Sequence, residues 1–504
     1  MSTISLILGG PGCGKTTKLL SIINKLLKTY APGEILFLGY TRRAAQEARE
    51  RIQNKLVECR TIHSYCFRQL GIEPGTVMEP KHYREIGQRL GMDFSRVNIE
   101  NGFMQGFNED AKLQRVEQLA RIQQMDLAAA CRENNINIKK AYWYRNALDK
   151  YKADRGMLDY TDMITQFIER LPGSLRFPSV VIIDEGQDLS AIQWAAVTPL
   201  IQLSREAYIA GDDDQAIYTW AGADIRRFLN IHYDNKQNLR RSYRLPKDVF
   251  LLSEEIVNKI QYRYKKAIIP EDRSGRLAYI NDVDDVLKNT TIDESWLLLC
   301  RNGYQQNYYI EACRRFGLPY TVKENSSLDN KDVSKICNYE LLRSGYRVSA
   351  ASAYDVLMGA NKEFIDKNKV KKLKNLEHDN LIDMQTLAHD YGVKMTPPWY
   401  DFLDISQSKS RYYRAVIQRG NKEGKKLRSF LYEPPKIRIS TIHGVKGAEA
   451  SNVVIMPDLS PAEYDVFTNV ETADNEHRVF YVAVTRAKNN LFILHPRGLY
   501  YYGF

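Results

Sequence analysis

Ile4-Ser5-Leu6-Ile7-Leu8-Gly9-Gly10-Pro11-Gly12-Cys13-Gly14-Lys15-Thr16 runs from an apolar segment into a glycine-rich turn, and a helical pattern follows from Thr17 to Leu27. The turn fits GxxxxGK[ST] in the strand-before, helix-after setting that this motif needs. Glycines let successive N–H groups curl around phosphate oxygens, and the helix N-terminus behind them favours an anion. Lys15 then reaches the terminal phosphates and Thr16 can ligate Mg²⁺. By composition the bare pattern arises by chance in roughly one chain in fifty of this length, so a turn without chemistry is the weaker reading.

A nucleotide-hydrolysing site also needs a carboxylate to hold the metal and a base to orient water, both at the end of a buried strand. Val180-Val181-Ile182-Ile183-Asp184-Glu185 supplies them: Asp184 for the metal, Glu185 for the water. An acidic pair after an apolar run is common in isolation. Joined to the phosphate loop, it predicts a nucleoside-triphosphate hydrolase using ATP and Mg²⁺.

Working outward, further short apolar runs at Ile35–Leu38 and Tyr208–Ala210 read as buried parallel strands alternating with helices. A second series at Trp296–Cys300, Ile437–Ser440, Val453–Met456 and Leu491–Leu494 predicts another α/β lobe. The expected fold is α/β, two RecA-like P-loop lobes with parallel sheets, each interrupted by a mainly helical insertion. The expected boundaries are 1–78 and 160–240 for the first lobe, with 79–159 as its insertion. The second lobe takes 241–344 and 435–504, with 345–434 inserted. That second insertion carries basic clusters (Lys367, Lys369, Lys371, Lys372, Lys374; later Arg411, Arg414, Arg419, Lys425, Lys426, Arg428). Such clusters are solvated helix faces more often than duplex contacts, and the first reading is preferred.

At Asp184-Glu185-Gly186-Gln187-Asp188 the sequence resembles the DExQD box of superfamily 1 helicases of the UvrD/Rep type. Other motifs of that family follow in order. Tyr40-Thr41-Arg42-Arg43-Ala44-Ala45 and Thr61-Ile62-His63-Ser64-Tyr65 resemble its DNA-contact motifs, and the segment Gly211 to Ala223 is similar to GDxxQSIYxxRGA. Arg241-Ser242-Tyr243-Arg244 looks like the NYR box, the segment Thr441 to Glu449 like THxxKGxE, and Tyr481 to Lys488 like YVAxTRA. The resemblance covers Gly9 to Lys488.

The resemblance implies roles. Gln215 senses the γ-phosphate or its water; Arg244 and Arg486, contributed from the second lobe, act as arginine fingers, which suits a planar, always-charged guanidinium. Tyr243 stacks on adenine, Glu449 holds the ribose, and Gly447 lies beside it in the same box; the loop Gly9, Gly10, Pro11, Gly12, Cys13, Gly14, with Thr17 behind it, completes the nucleotide-binding set. Thr41, His63, Thr441 and His443 are expected near DNA phosphates or sugars. Tyr218 and Trp220 are expected beneath its bases. Trp220 could simply be buried, but its place after the polar Asp-Asp-Asp-Gln turn and before Ala-Gly favours a loop end; taken singly, the arginines are more often surface ion-pair residues and Tyr243 more often core. The ordered motifs reverse those odds.

Departures from the family pattern bear on nucleotide and DNA grip. The chain starts one strand before the phosphate loop, without room for the upstream adenine-reading glutamine motif. Thr17 stands where an arginine often follows GKT, Ile62 where an aromatic often precedes the motif histidine, and Ala221 where RGA has arginine. Cys13 reads as a small filler, with redox inhibition as the alternative.

Bulk properties agree with a globular protein: 504 residues, 44% hydrophobic and 26% charged, with no run of about 18 apolar residues and no signal-peptide pattern. Seven cysteines without a CxxC pair predict reduced thiols and neither zinc nor disulfides. A net charge of +11 favours a polyanionic partner. The expectation is therefore an intracellular, nucleoid-associated protein, or one in the host cytoplasm if the source is viral, with no membrane association. It is read as a monomeric, DNA-dependent ATPase that translocates 3′ to 5′ on single strands and unwinds duplex. Single-stranded DNA, single/double-strand junctions and replication or repair proteins are its expected partners. The alternative is a translocase that strips proteins from DNA with little unwinding. A nucleotide-gated binding module is disfavoured because Lys15, Asp184, Glu185, Gln215 and both arginines are all present.

Overall fold

The computed structural model describes residues 2–52, 54–94, 98–100, 103–105, 108–171, 177–470 and 472–504. The chain divides into two compact units, Met1–Arg273 with Val466–Thr485, and Ser274–Asp465 with Arg486–Phe504.

In the first unit six parallel strands lie in the order Glu58–Arg60, Ile35–Leu38, Val180–Ile183, Glu206–Gly211, Thr3–Gly9, Asn235–Leu239. Ile35–Leu38 and Val180–Ile183 are buried on both faces, which is why they are continuous apolar runs rather than alternating ones. The polar edge strands Glu58–Arg60 and Asn235–Leu239 carry no such run. The three neighbouring strands Val180–Ile183, Glu206–Gly211 and Thr3–Gly9 point the same way. Their C-terminal ends therefore bring Asp184, Asp212 and the phosphate loop to one edge of the sheet, where open parallel sheets bind ligands.

Helices Pro80–Leu90, Glu109–Ile122, Leu127–Glu133 and Ile138–Arg155 pack around a core of Tyr83, Phe94, Val116, Tyr144 and Leu148. A buried ion network ties that core to the sheet-side helix Tyr160–Arg170: Arg121 reaches Glu117 (2.9 Å), Asp159 (2.7 Å) and Asp162 (3.2 Å). Two of these three carboxylates, Asp159 and Asp162, answer differently. Arg121 and Lys152 hold Asp159 well below the usual carboxylate range, while burial and the Asp159 charge push Asp162 up.

The second unit has seven strands in the order Asn325–Ser326, Tyr320–Val322, Ile437–Thr441, Trp296–Cys300, Ala450–Ile455, Ala487–Leu494, Arg276–Ile280. All are parallel except the short pair at Tyr320–Val322 and Asn325–Ser326. Helices between Asn330 and Tyr432 interrupt the sheet but share its core: Leu298, Tyr309 and Phe492 belong to one cluster with Val356, Phe402 and Phe430. The later basic cluster is engaged inside this unit. Arg419 pairs with Glu423 (3.2 Å), Arg428 donates to Asn338 (2.9 Å), Lys425 pairs with Asp293, and Arg414 lies 4.1 Å over Tyr400.

The boundary expected at 240/241 differs from the one observed. The segment 241–273 and the helix Ala473–Val484 pack with the phosphate-loop unit. Backbone and side-chain bonds explain this: Tyr243 N–H donates to Gly12 O (2.9 Å), Ser242 Oγ to Pro11 O (2.7 Å), and Arg478 Nε to Asp213 O (3.0 Å). Arg244, expected from the second lobe, is therefore built into the first unit, while Arg486 begins the returning segment of the second. Among the described residues no helix is long and apolar enough to cross a membrane.

Candidate nucleotide and DNA site

The phosphate loop leaves the buried strand Thr3–Gly9 and ends on the helix Lys15–Leu26. Gly12 and Gly14 adopt φ of +70° and +76°, the left-handed region in which a side chain is strained. At Gly12 a Cβ would also sit 2.5 Å from Arg244 Cβ, so only glycine allows the loop to meet that arginine. Lys15 is buried, with Nζ donating to Gly9 O (2.9 Å) and Gly10 O (3.4 Å), within the loop it serves.

Thr16 Oγ1 donates to Asp184 Oδ2 at 2.7 Å. Asp184 is buried, and burial followed by the neighbouring Glu185 charge pushes its carboxyl up to about 6. A hydroxyl and a carboxylate in contact, in a place that penalises the unbalanced anion, fit a hard divalent cation. Glu185 has φ +58° and ψ +43°, an uncommon conformation for a residue other than glycine and one that clusters at functional sites. Its Oε2 accepts from Gln187 Nε2 (2.6 Å), and Gln187 Oε1 accepts from the backbone N–H of Asp212 (2.9 Å). Asp212 Oδ2 in turn accepts from Gln215 Nε2 (2.6 Å). Glu185 and Gln215 are thus joined by one relay through the buried Gln187 and Asp212. Beyond the two boxes themselves, no local pattern signals that link.

On the side where adenine was expected, Tyr243 is 67% exposed, which excludes the core alternative for it. Thr17 accepts from Arg51 (3.0 Å), so the helix Arg42–Arg51 delivers a guanidinium to the place where the family often has its own. Burial pushes the Cys13 thiol up to about 11, which keeps it protonated and favours the filler reading over redox chemistry.

Thr41 and Thr61 cap their helices, accepting from Ala44 N (3.1 Å) and Ser64 N (3.2 Å). Their positions set His63 and Arg42 into a groove of about 800 Å³ that Tyr40, Arg49, Arg60 and Tyr160 also line. His63 packs edge-on to Tyr160 at 5.6 Å; burial and then the Arg42 charge lower its pKa to about 4, so it is neutral near pH 7. Tyr40 stacks on Tyr218 at 5.2 Å, and Tyr218 lies 6.4 Å from Trp220, which is 38% exposed. These rings form an aromatic track beside a basic groove, the combination that binds single strands without sequence preference.

In the second unit Thr441 ends a sheet strand and accepts from Gly444 N (3.3 Å), turning the chain through His443. Gly447 has φ +84°, and Glu449 pairs with Lys488. Arg486 is buried, with Nη1 donating to Ala448 O (3.3 Å).

A strand-to-helix phosphate cradle facing an acidic pair places the chain among the P-loop nucleoside-triphosphate hydrolases. The profile of the UvrD/REP helicase N-terminal domain matches residues 1–236, and that of the UvrD-like helicase C-terminal domain matches 403–497. The chain belongs to the UvrD/Rep-type superfamily 1 helicases and is an ATP-dependent DNA helicase of that family. It is 22% identical to the ATP-dependent DNA helicase PcrA of Staphylococcus aureus (strain Mu50), covering 99% of this chain and 82% of that one. Its counterpart from Staphylococcus epidermidis (strain ATCC 12228) is 23% identical over 75% of this chain and 57% of its own length.

Proposed function

We propose that the protein is a motor that moves 3′ to 5′ along single-stranded DNA and separates duplex ahead of it, acting as an intracellular monomer at single/double-strand junctions in replication or repair. The supporting observation is the single stretch Asp212 to Trp220. Its first residues hold the Gln215 amide, and its last carry Tyr218 and Trp220. A change at the phosphate end of so short a segment is felt at the base-stacking end. The polarity rests on the resemblance of the DExQD and THxxKGxE boxes to the 3′-to-5′ branch.

In this reading Lys15 engages the terminal phosphates and Glu185 takes the proton of the attacking water. Thr16 and Asp184 would hold Mg²⁺, which supplies charge neutralisation at the phosphate oxygens. Gln215 and Arg244 meet the γ-phosphate from the first unit. The roles of Arg486 as a second arginine finger, Gly447 and Glu449 at the ribose, and Thr441 and His443 on DNA are proposed from the motifs. Tyr243 stacks on the base.

Steady-state ATP hydrolysis with and without single-stranded DNA tests the motor, with Lys15→Ala as control. DNA stimulation that vanishes in the variant is expected; turnover indifferent to DNA would refute the track. Strand displacement from 3′-tailed and 5′-tailed duplexes tests direction. Activity only from the 5′ tail would reverse the polarity, and protein displacement without strand separation would favour the stripping translocase.

Trp220→Ala removes one stacking face worth about 1–3 kcal/mol. Strand affinity should fall about tenfold or more, and ATP consumed per nucleotide travelled should rise. An unchanged stepping rate in a stopped-flow translocation assay would assign Trp220 a packing role instead.

A further inference from the structure

Asp212, Asp213 and Asp214 are all buried, and three carboxylates so close together need cations to remain ionised. The cations come from two distant segments of the first unit. Lys266, itself almost fully buried, contacts all three: Asp212 Oδ1 at 3.1 Å, Asp214 Oδ2 at 2.9 Å, and Asp213 more closely still. Arg263 grips Asp214 with two bonds of 2.6 and 2.7 Å, and Arg478 donates to the Asp213 carbonyl. A metal at this cluster is unnecessary, because Lys266 already occupies its centre.

Lys266 also does something that neutralisation alone does not require. The two oxygens of Asp212 are divided: Oδ1 faces the Lys266 ammonium, and Oδ2 accepts from Gln215 Nε2. Fixing one oxygen fixes the carboxylate plane, and hence the direction in which the Gln215 amide is held. The strap that carries Lys266 is itself anchored to the phosphate loop. Ile268 packs so tightly on Gly10 that a Cβ there would lie 2.9 Å from it, and Ile269 O accepts from Ser242 N (2.9 Å). The lysine therefore has little freedom to follow a displaced aspartate.

We propose that Lys266 is a positioning residue for hydrolysis, holding the Gln215 amide through Asp212 in register with the phosphate loop. The inference rests on the role proposed above for Gln215, so the two are tested separately.

DNA-stimulated ATP hydrolysis is measured for Gln215→Ala, Lys266→Met and the double variant of the full chain. Lys266→Met should lower kcat at least about tenfold while KM for ATP and affinity for single-stranded DNA stay within about threefold. In the Gln215→Ala background, itself slowed, the same change should cost nothing further. Lys266→Arg keeps the charge and carries the test should the methionine variant fail to fold. It should lose severalfold in kcat, again with no added loss when Gln215 is absent. Wild-type kcat in a folded Lys266 variant, or a full additional loss in the Gln215→Ala background, overturns the positioning role. Wild-type turnover in Gln215→Ala overturns the reading of Gln215 and the proposal with it.

Discussion

Glu185→Gln should bind ATP with near-native affinity and hydrolyse it about 10²–10⁴ times more slowly, the range that a positioned general base contributes. The substitution is unusually clean here. Gln has the shape of Glu, so it can keep the φ of +58° that the turn demands, and its side-chain oxygen can still accept from Gln187 Nε2. What disappears is the ability to take a proton from water. Equilibrium binding of a fluorescent nucleotide together with single-turnover hydrolysis separates the two properties. Turnover within about threefold of wild type would remove Glu185 from the role of base.

Asp184→Asn should abolish magnesium-dependent hydrolysis and, in the same protein, raise the melting temperature of the nucleotide-free state at neutral pH. The second effect follows from the environment of the carboxyl. Its pKa is raised to about 6, first by burial and then by Glu185, so folding favours the protonated form. The folded state then holds more proton than the unfolded one between about pH 4 and pH 6, and stability falls as pH rises through that window. At pH 7 to 8 the ionised carboxylate costs about 1–3 kcal/mol, which a neutral amide accepting from the Glu185 N–H and donating to Thr16 Oγ1 avoids. The gain should therefore be a few degrees at pH 7.5 in EDTA and close to nothing at pH 4. A variant equally stable at both pH values, or less stable at pH 7.5, would contradict this account. The residue proposed to hold the metal is one that the free protein holds at a disadvantage.

Much of the candidate nucleotide site was legible because its motifs are local. Gly9 to Thr16 must be contiguous to wrap a phosphate, and Asp184-Glu185 must follow a strand. The buried strands were legible for the same reason, since Ile35–Leu38, Val180–Ile183 and Trp296–Cys300 are apolar on both faces. Edge strands such as Asn235–Leu239 were not, because a solvated strand has no distinctive run. The ion cluster was equally hidden. Lys266 lies about fifty residues from its aspartates and Arg478 over two hundred and fifty, and nothing local distinguishes either from a surface cation. The same long-range contacts displaced the boundary near 240: Arg244 looked like the start of a new lobe because the following apolar runs belong to one, whereas Ser242 and Tyr243 bind the phosphate loop.

The helix Ala473–Val484 belongs to the first unit but is encoded after nearly all of the second. On the ribosome, Ser274–Asp465 must emerge before it, an interval of roughly ten to forty seconds at ordinary elongation rates. During that time the nascent first unit lacks Arg478, and of the three cations described at the Asp212–Asp214 turn it has Lys266 and Arg263. A gene fragment stopped at Arg273 would freeze this half-made state. Phosphate-loop fragments of this protein should accordingly be made as a fusion that restores Val466–Thr485, or not at all.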